Sequence, residues 1–234
     1  QAKKVVQSDF EVKVIDKVGD AEFKPGVYNI LDQKDIGPDD IVVGEVSPIA
    51  GKASGDMLMK ALDLCKAGKL DGFSFAPLNK AALKAGGYTL ESENKLFGEY
   101  FGVESTCEVN ILDNLWTSRV TSHVPVKDIC EHLTVDNILN AVRLLNDALK
   151  SAGVEAPRLG IAALNPHGGE NGTCGREEID IIAPAMEKAK EEGIKVMGPY
   201  PADILFIKAF NGDFDGAVTM YHDQGQIALK LKGF

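Results

Sequence analysis

Short, nearly unbroken runs of apolar and β-branched residues, separated by stretches of helical period, are what most constrain the fold of this chain. Arg158–Leu164, Ile194–Met197 and Asp215–Met220 show no clean alternation, which is how strands covered on both faces read. Further strands are predicted at Glu11–Ile15, Asp40–Val43, Gly72–Ala76, Cys107–Leu112 and Ser118–Ser122. Helices are predicted over Ala53–Ala67, Asn94–Phe101, Thr134–Ala152, Glu177–Glu192 and Pro201–Phe210. Strands alternating with helices predict an α/β fold whose parallel strands are joined by crossover helices.

Two helices show how local chemistry sets their limits. Thr134-Val-Asp-Asn offers an N-cap, Ile138, Leu139, Val142, Leu145 and Ala148 form one stripe, and Gly153 stops the helix. Glu177–Glu192 has acids in its first turn, Gly193 after its last, and Ile179, Ile182, Met186 and Ala189 facing inward. With 234 residues the chain is about one large domain or two modest ones. The best boundary lies near Ala85-Gly86-Gly87, giving a first α/β domain over 1–87 and a second over 88–234.

Charge and cysteine usage narrow the partners. Acids outnumber Lys and Arg 35 to 25, and the longest basic run is Lys3-Lys4, so nucleic acid and anionic membranes are poor partners. No apolar run approaches the roughly 18 residues of a membrane span. Cys65, Cys107, Cys130 and Cys174 have neither CxxC pairing nor scaffold density, so they are read as cytoplasmic thiols. A small-molecule ligand fits best.

Three of the four histidines share one address. His123, His167 and His222 each follow a predicted strand, at the carboxyl end where ligand sites of parallel sheets collect. Three neutral imidazoles would leave coordination positions open on a divalent cation, as a catalytic site needs. Spacing leaves open the plainer reading that the three rings merely cap neighbouring helices. Asn165-Pro-His-Gly-Gly-Glu-Asn-Gly-Thr-Cys-Gly175 is a loop through which backbone amides can approach a ligand closely. Met220-Tyr-His-Asp-Gln-Gly225 packs an acid and an amide around a histidine as a strand ends. Asp203 opens a helix, either capping it or accepting a hydrogen bond from a substrate hydroxyl. His132 reads as a surface residue.

Thr121–Asp128, Leu164–Glu170 with Gly175–Asp180, Gly198–Phe206 and Met220–Phe234 together resemble the 4-hydroxythreonine-4-phosphate dehydrogenase family and its paralogues, in order and spacing. The resemblance implies a two-domain, three-layer αβα architecture like that of the isocitrate and isopropylmalate dehydrogenases. It also implies an NAD cleft without the usual glycine fingerprint, and a homodimer with a shared metal site. His123, His167 and His222 match the family's ligands to a divalent metal (Zn, Mg, Co or Mn). Asp203 and Asp223 would lie beside the substrate, and Lys230 matches a lysine that contacts it and that could take part in proton transfer. The implied reaction oxidises a secondary hydroxyl of a small hydroxy acid, with decarboxylation where the ketone is β to a carboxylate.

The resemblance breaks at Leu90-Glu91-Ser92-Glu93, where the family shows Gly-His-Thr-Glu. Ser92 can replace the threonine hydroxyl, but Glu91 puts an anion where an imidazole would meet the substrate phosphate. This points toward a paralogue's substrate, a four-carbon sugar-acid phosphate or a carboxylated cis-dihydrodiol. The family's N-terminal Gly-Asp-Pro-Ala-Gly-Ile-Gly-Pro-Glu stretch and its C-terminal segment are not in the sequence, which reads as part of a longer protein. The competing expectations are a metal-assisted hydrolase and a non-catalytic metal-binding dimer.

Overall fold

A computed structural model describes residues 6–37, 40–42, 44–89, 92–103 and 105–233. The chain divides into two compact units, Gln1–Val103 and Glu104–Phe234.

In the first unit β1 (Glu11–Ile15) and β2 (Val27–Leu31) pair in parallel, with Glu11 opposite Val27 and Ile15 opposite Leu31. α1 (Pro48–Lys66) starts where Ser47 Oγ accepts from Ala50 N, with proline in its first turn. It buries Ala53, Leu58 and Leu62. α2 (Lys80–Ala85) is capped by Asn79, and α3 (Glu93–Phe101) by Ser92 and by left-handed Gly102. The strand expected at Gly72–Ala76 is extended chain without a ladder. Its apolar members Phe73 and Phe75 pack edge to face against Phe97 of α3, with centroids 5.5 and 6.0 Å apart, so a helix takes the place of a partner strand. The strand expected at Asp40–Val43 is not formed over 40–42, and Val43 lies outside the described residues.

The second unit is a five-stranded sheet in the order β3 (Asn110–Leu112), β4 (Leu115–Arg119), β7 (Gly216–Thr219), β5 (Arg158–Ala162), β6 (Lys195–Tyr200). All neighbours are parallel except β3 and β4, an antiparallel pair joined at Asp113-Asn114, where Asp113 adopts φ 51°. The tight turn starts β4 earlier than the expected Ser118–Ser122, and Thr121 leaves the ladder to bond Met220 O through both N and Oγ1.

Side-chain alternation along the central strands divides the core into two layers. Leu159, Ile161, Val218 and Met220 face α4 (Val135–Ser151) and α5 (Ala183–Glu191), while Ala162 and Ala217 face α6 (Ala202–Phe210). α7 (His222–Gly233) follows β7. This unit is therefore a three-layer αβα sandwich. Gly160 faces α6, and a Cβ there would stand 2.6 Å from Leu205 Cδ1 and 2.7 Å from Phe214 Cδ2. α4 is capped as expected, Thr134 Oγ1 accepting from Asn137 N at 3.1 Å, and Gly153 beyond its end is left-handed.

One expectation about phase fails. The Glu177–Glu192 segment opens as a π-helical turn over Glu178–Ile182, and only then continues as α5. The wide turn rotates its side chains, so Ile179 is 44% exposed and Glu178, at 4%, points inward.

Candidate active site at three adjacent strand ends

β4, β7 and β5 are neighbours, so the residues after them meet at one edge of the sheet. Polar side chains tie these ends together. Thr121 Oγ1 donates to Met220 O at 2.8 Å, linking β4 to β7. Gln224, in the first turn of α7, accepts from Met220 N at 2.8 Å and donates to Ala163 O at 2.7 Å, linking β7 to β5. Arg119 at the end of β4 has a side chain only 6% exposed. It donates to Ser122 Oγ at 3.0 Å and Asn110 Oδ1 at 2.9 Å, and pairs with Glu108 at 2.6 Å. Burial pushes the Glu108 carboxyl up, but Arg119 outweighs it and holds the group below the usual carboxylate range.

The histidines fall into a pair and a single. The rings of His123 and His222 lie 6.2 Å apart between centroids, tilted by 37°. His222 Nδ1 is 2.8 Å from Asp223 Oδ1, an arrangement that keeps the proton on Nδ1 and leaves the Nε2 lone pair for a ligand. His167 sits apart from this contact, at the start of a turn in which His167, Gly168, Gly169, Glu170 and Asn171 are all left-handed. L-residues avoid that conformation, and His167, Glu170 and Asn171 adopt it without glycine's freedom. Glu178 anchors the segment. Its Oε1 accepts from Leu164 N at 2.8 Å and Asn165 N at 2.7 Å, and its Oε2 from Asn165 Nδ2 at 3.0 Å. Burial raises this carboxyl, yet the hydrogen bonds from Asn165 and the backbone amides prevail and hold it low.

A hollow of about 630 Å³ opens beside these loops. His167, Asp203, Asp223 and Asn165 form its polar side, and Phe206, Ile227 and Leu231 its apolar side. Asp203 stands in the first turn of α6 without capping it; Pro201 is the cap residue and no side chain bonds there. Another hollow, about 660 Å³, lies at the amino ends of β4, β5 and β7, lined by Trp116, Arg158 and Asp215; it holds no histidine.

The other expected site residues are placed differently. Lys230 is exposed on α7 and does not line the hollow. Ser92 belongs to the first unit, where its Oγ accepts from Lys95 N at 3.2 Å as a helix cap. Glu91 lies outside the described residues. Among the described residues no three His, Cys, Asp or Glu side chains converge closely enough to hold a metal ion, so the expected trio of imidazoles does not assemble there within one chain. The donor chemistry still suits a cation in part: two adjacent imidazoles, one held in the ligating tautomer by a carboxylate. Sequence reasoning missed Glu178 and Gln224 as organisers of the site. Gln224 stood in a motif already singled out, whereas nothing in the Glu178 periodicity marked it as buried.

All of residues 1–234 match the family model described as pyridoxal phosphate biosynthetic protein PdxA. The D-threonate 4-phosphate dehydrogenase of Pectobacterium atrosepticum is 38% identical over 224 residues, covering 96% of this chain and 69% of that protein. The solved 4-hydroxythreonine-4-phosphate dehydrogenase of Klebsiella pneumoniae superposes with a TM-score of 0.92 at 32% identity, over 97% of this chain and 69% of that one. That of Burkholderia phymatum gives 0.90 at 35% identity, over 100% and 71%. The chain thus spans roughly two thirds of the length of the relatives it matches.

Proposed function

This chain belongs to the PdxA family of pyridoxal phosphate biosynthetic proteins, and from that premise we propose that it is the greater part of a dehydrogenase that oxidises a secondary hydroxyl of a small phosphorylated hydroxy acid. The observation that carries the reading is the match along all 234 residues, together with a hollow that brings His167, Asp203 and Asp223 onto one lining. The relatives' names offer two such acids, 4-hydroxythreonine 4-phosphate and D-threonate 4-phosphate, and the assay below separates them.

In this reading His123, His167 and His222 would hold a divalent cation, zinc or a similar metal, at a site shared between two copies of the chain. Bound cation and NAD together supply Lewis acidity toward the substrate hydroxyl and an acceptor for its hydride. Asp223 keeps His222 Nε2 free to ligate by accepting from Nδ1. Asp203, on the wall of the hollow, takes the hydrogen bond of the reacting hydroxyl and is the base for its proton, with Asp223 as the other nearby carboxylate. For Lys230 the family motif alone supports a substrate contact, since its side chain does not line the hollow. Phe206, Ile227 and Leu231 give the hollow its apolar wall.

The test is NADH production by the full-length protein with D-threonate 4-phosphate, 4-hydroxythreonine 4-phosphate and their unphosphorylated forms. Turnover of a phosphorylated acid, abolished by Asp203→Asn, is the expected result. Phosphate or acyl release without NADH would replace this reading by a metal-assisted hydrolase, and metal binding without turnover by a non-catalytic dimer.

A further inference from the structure

We propose that Glu178 is a positioning residue for the site: its buried carboxylate brackets His167 from both sides and sets the conformation in which that imidazole is presented. The inference rests on the reading above, in which His167 is a ligand; Glu178 itself does not line the hollow.

The geometry is specific. Ahead of His167, one carboxylate oxygen collects the amides of Leu164 and Asn165, and the other collects the Asn165 side chain. Behind it, Gly169 lies against Glu178 Oε2, where a Cβ would come within 2.6 Å. Gly169 is itself left-handed, φ 78°, so the contact requires glycine on both counts. Between these points His167 is itself left-handed, and beyond Gly169 the chain stays left-handed through Glu170 and Asn171, a path that local preference does not sustain. The turn is therefore held from outside, and Glu178 is a holder that touches it on either side of the histidine. The charge matters as well as the shape. A carboxylate accepts at both oxygens, whereas a glutamine would turn an amide N–H toward the Asn165 amide and oppose donor to donor. The π-helical turn explains how the acid reaches this place, since it rotates Glu178 rather than Ile179 toward the sheet.

The experiment uses the full-length protein and three variants: Glu178→Gln, Asn165→Ala and His167→Ala. Hydrogen exchange is read over residues 163–172 and over the remaining strands, and zinc binding is read by calorimetry. For Glu178→Gln we expect exchange in 163–172 to speed up at least tenfold while β4, β5 and β7 keep wild-type protection, and zinc affinity to fall by about 10- to 100-fold. Acceleration spread evenly through the sheet marks a merely structural residue and overturns the proposal; so does unchanged exchange over 163–172. Should Glu178→Gln not fold, Asn165→Ala carries the same test with Glu177→Gln added as its control: it leaves both backbone amides bound but removes the Asn165 side-chain bonds to Glu178 Oε2 at 3.0 Å and to Glu177 Oε2 at 2.6 Å, and the control isolates the second. His167→Ala separates the two claims. If it abolishes zinc binding while Glu178→Gln leaves affinity intact, the positioning role fails and the metal reading stands. If zinc survives His167→Ala, the metal reading fails and local exchange alone decides the role of Glu178.

Discussion

A methyl group added at Gly160 gives the sharpest test of how the sheet carries Asp203 to its place. Gly160 lies on β5 beneath α6, and a Cβ there would sit 2.6 Å from Leu205 Cδ1 and 2.7 and 2.8 Å from the Phe214 ring. Carbon atoms prefer roughly 3.5–4.0 Å, so both side chains must retreat by about 1 Å. Neither has room, being 0% and 4% exposed within one packed cluster. Overpacking of this kind costs about 1–3 kcal/mol, and two obstructed neighbours place Gly160→Ala at about 2 kcal/mol. Leu205→Ala alone opens a cavity and costs about 3 kcal/mol, within the usual spread for buried leucine. In the double variant the new methyl points into the space Leu205 vacated, relieving one of the two clashes and part of the cavity. The pair should therefore destabilise by at least about 1 kcal/mol less than the sum of the single changes. Urea unfolding of the three variants, with equal m-values, measures this coupling. Additivity within about 0.5 kcal/mol, or a Gly160→Ala protein as stable as the parent, would refute the packing argument. Because Leu205 anchors the helix whose first turn carries Asp203, the single Leu205→Ala should also weaken substrate binding, and the double should recover part of it.

Two further outcomes follow from local chemistry. Arg158 donates to both oxygens of Asp215, at 2.9 and 3.1 Å, and its backbone amide adds a third bond, so the carboxyl is held below its ordinary range. A folded-state pKa below the unfolded one gives stability that is present above about pH 4 and lost as pH falls through the folded value. Asp215→Asn should thus melt lower than the parent at pH 7, by no more than about 1 kcal/mol because Arg158 is half exposed, with the gap closing in acid; a gap independent of pH contradicts the ion pair. Thr134→Ala removes the cap on Asn137 N and should cost about 1 kcal/mol in chemical denaturation, whereas Thr134→Ser should restore most of it.

Local pattern read well where local forces decide. The cap at Thr134, the stops at Gly153 and Gly193, β1 and the strand-end addresses of the three histidines depend on residues within a turn or two of one another. β2 was not legible, because along Val-Tyr-Asn-Ile-Leu exposure alternates but apolar character does not: Tyr28 and Ile30 face outward while Asn29 faces in. Phe73 and Phe75 looked like strand residues because aromatic alternation is the same whether a sheet or a helix receives the rings. The inward face of the α5 segment was misjudged at Ile179 because a π turn shifts phase by an amount no 3.6-residue period contains.

From the amino-acid order alone came the α/β class, the limits of α4 and the placing of His123, His167 and His222 after strands. Tertiary structure alone decided that those strands are neighbours, that His123 faces His222 while His167 stands apart, and that Glu178 is the buried acid. The physical reason is range. Periodicity and capping are settled between residues a few positions apart, whereas strand order is settled by the summed packing and hydrogen bonding of residues as distant as Ala163 and Gln224, whose pairing no local window contains.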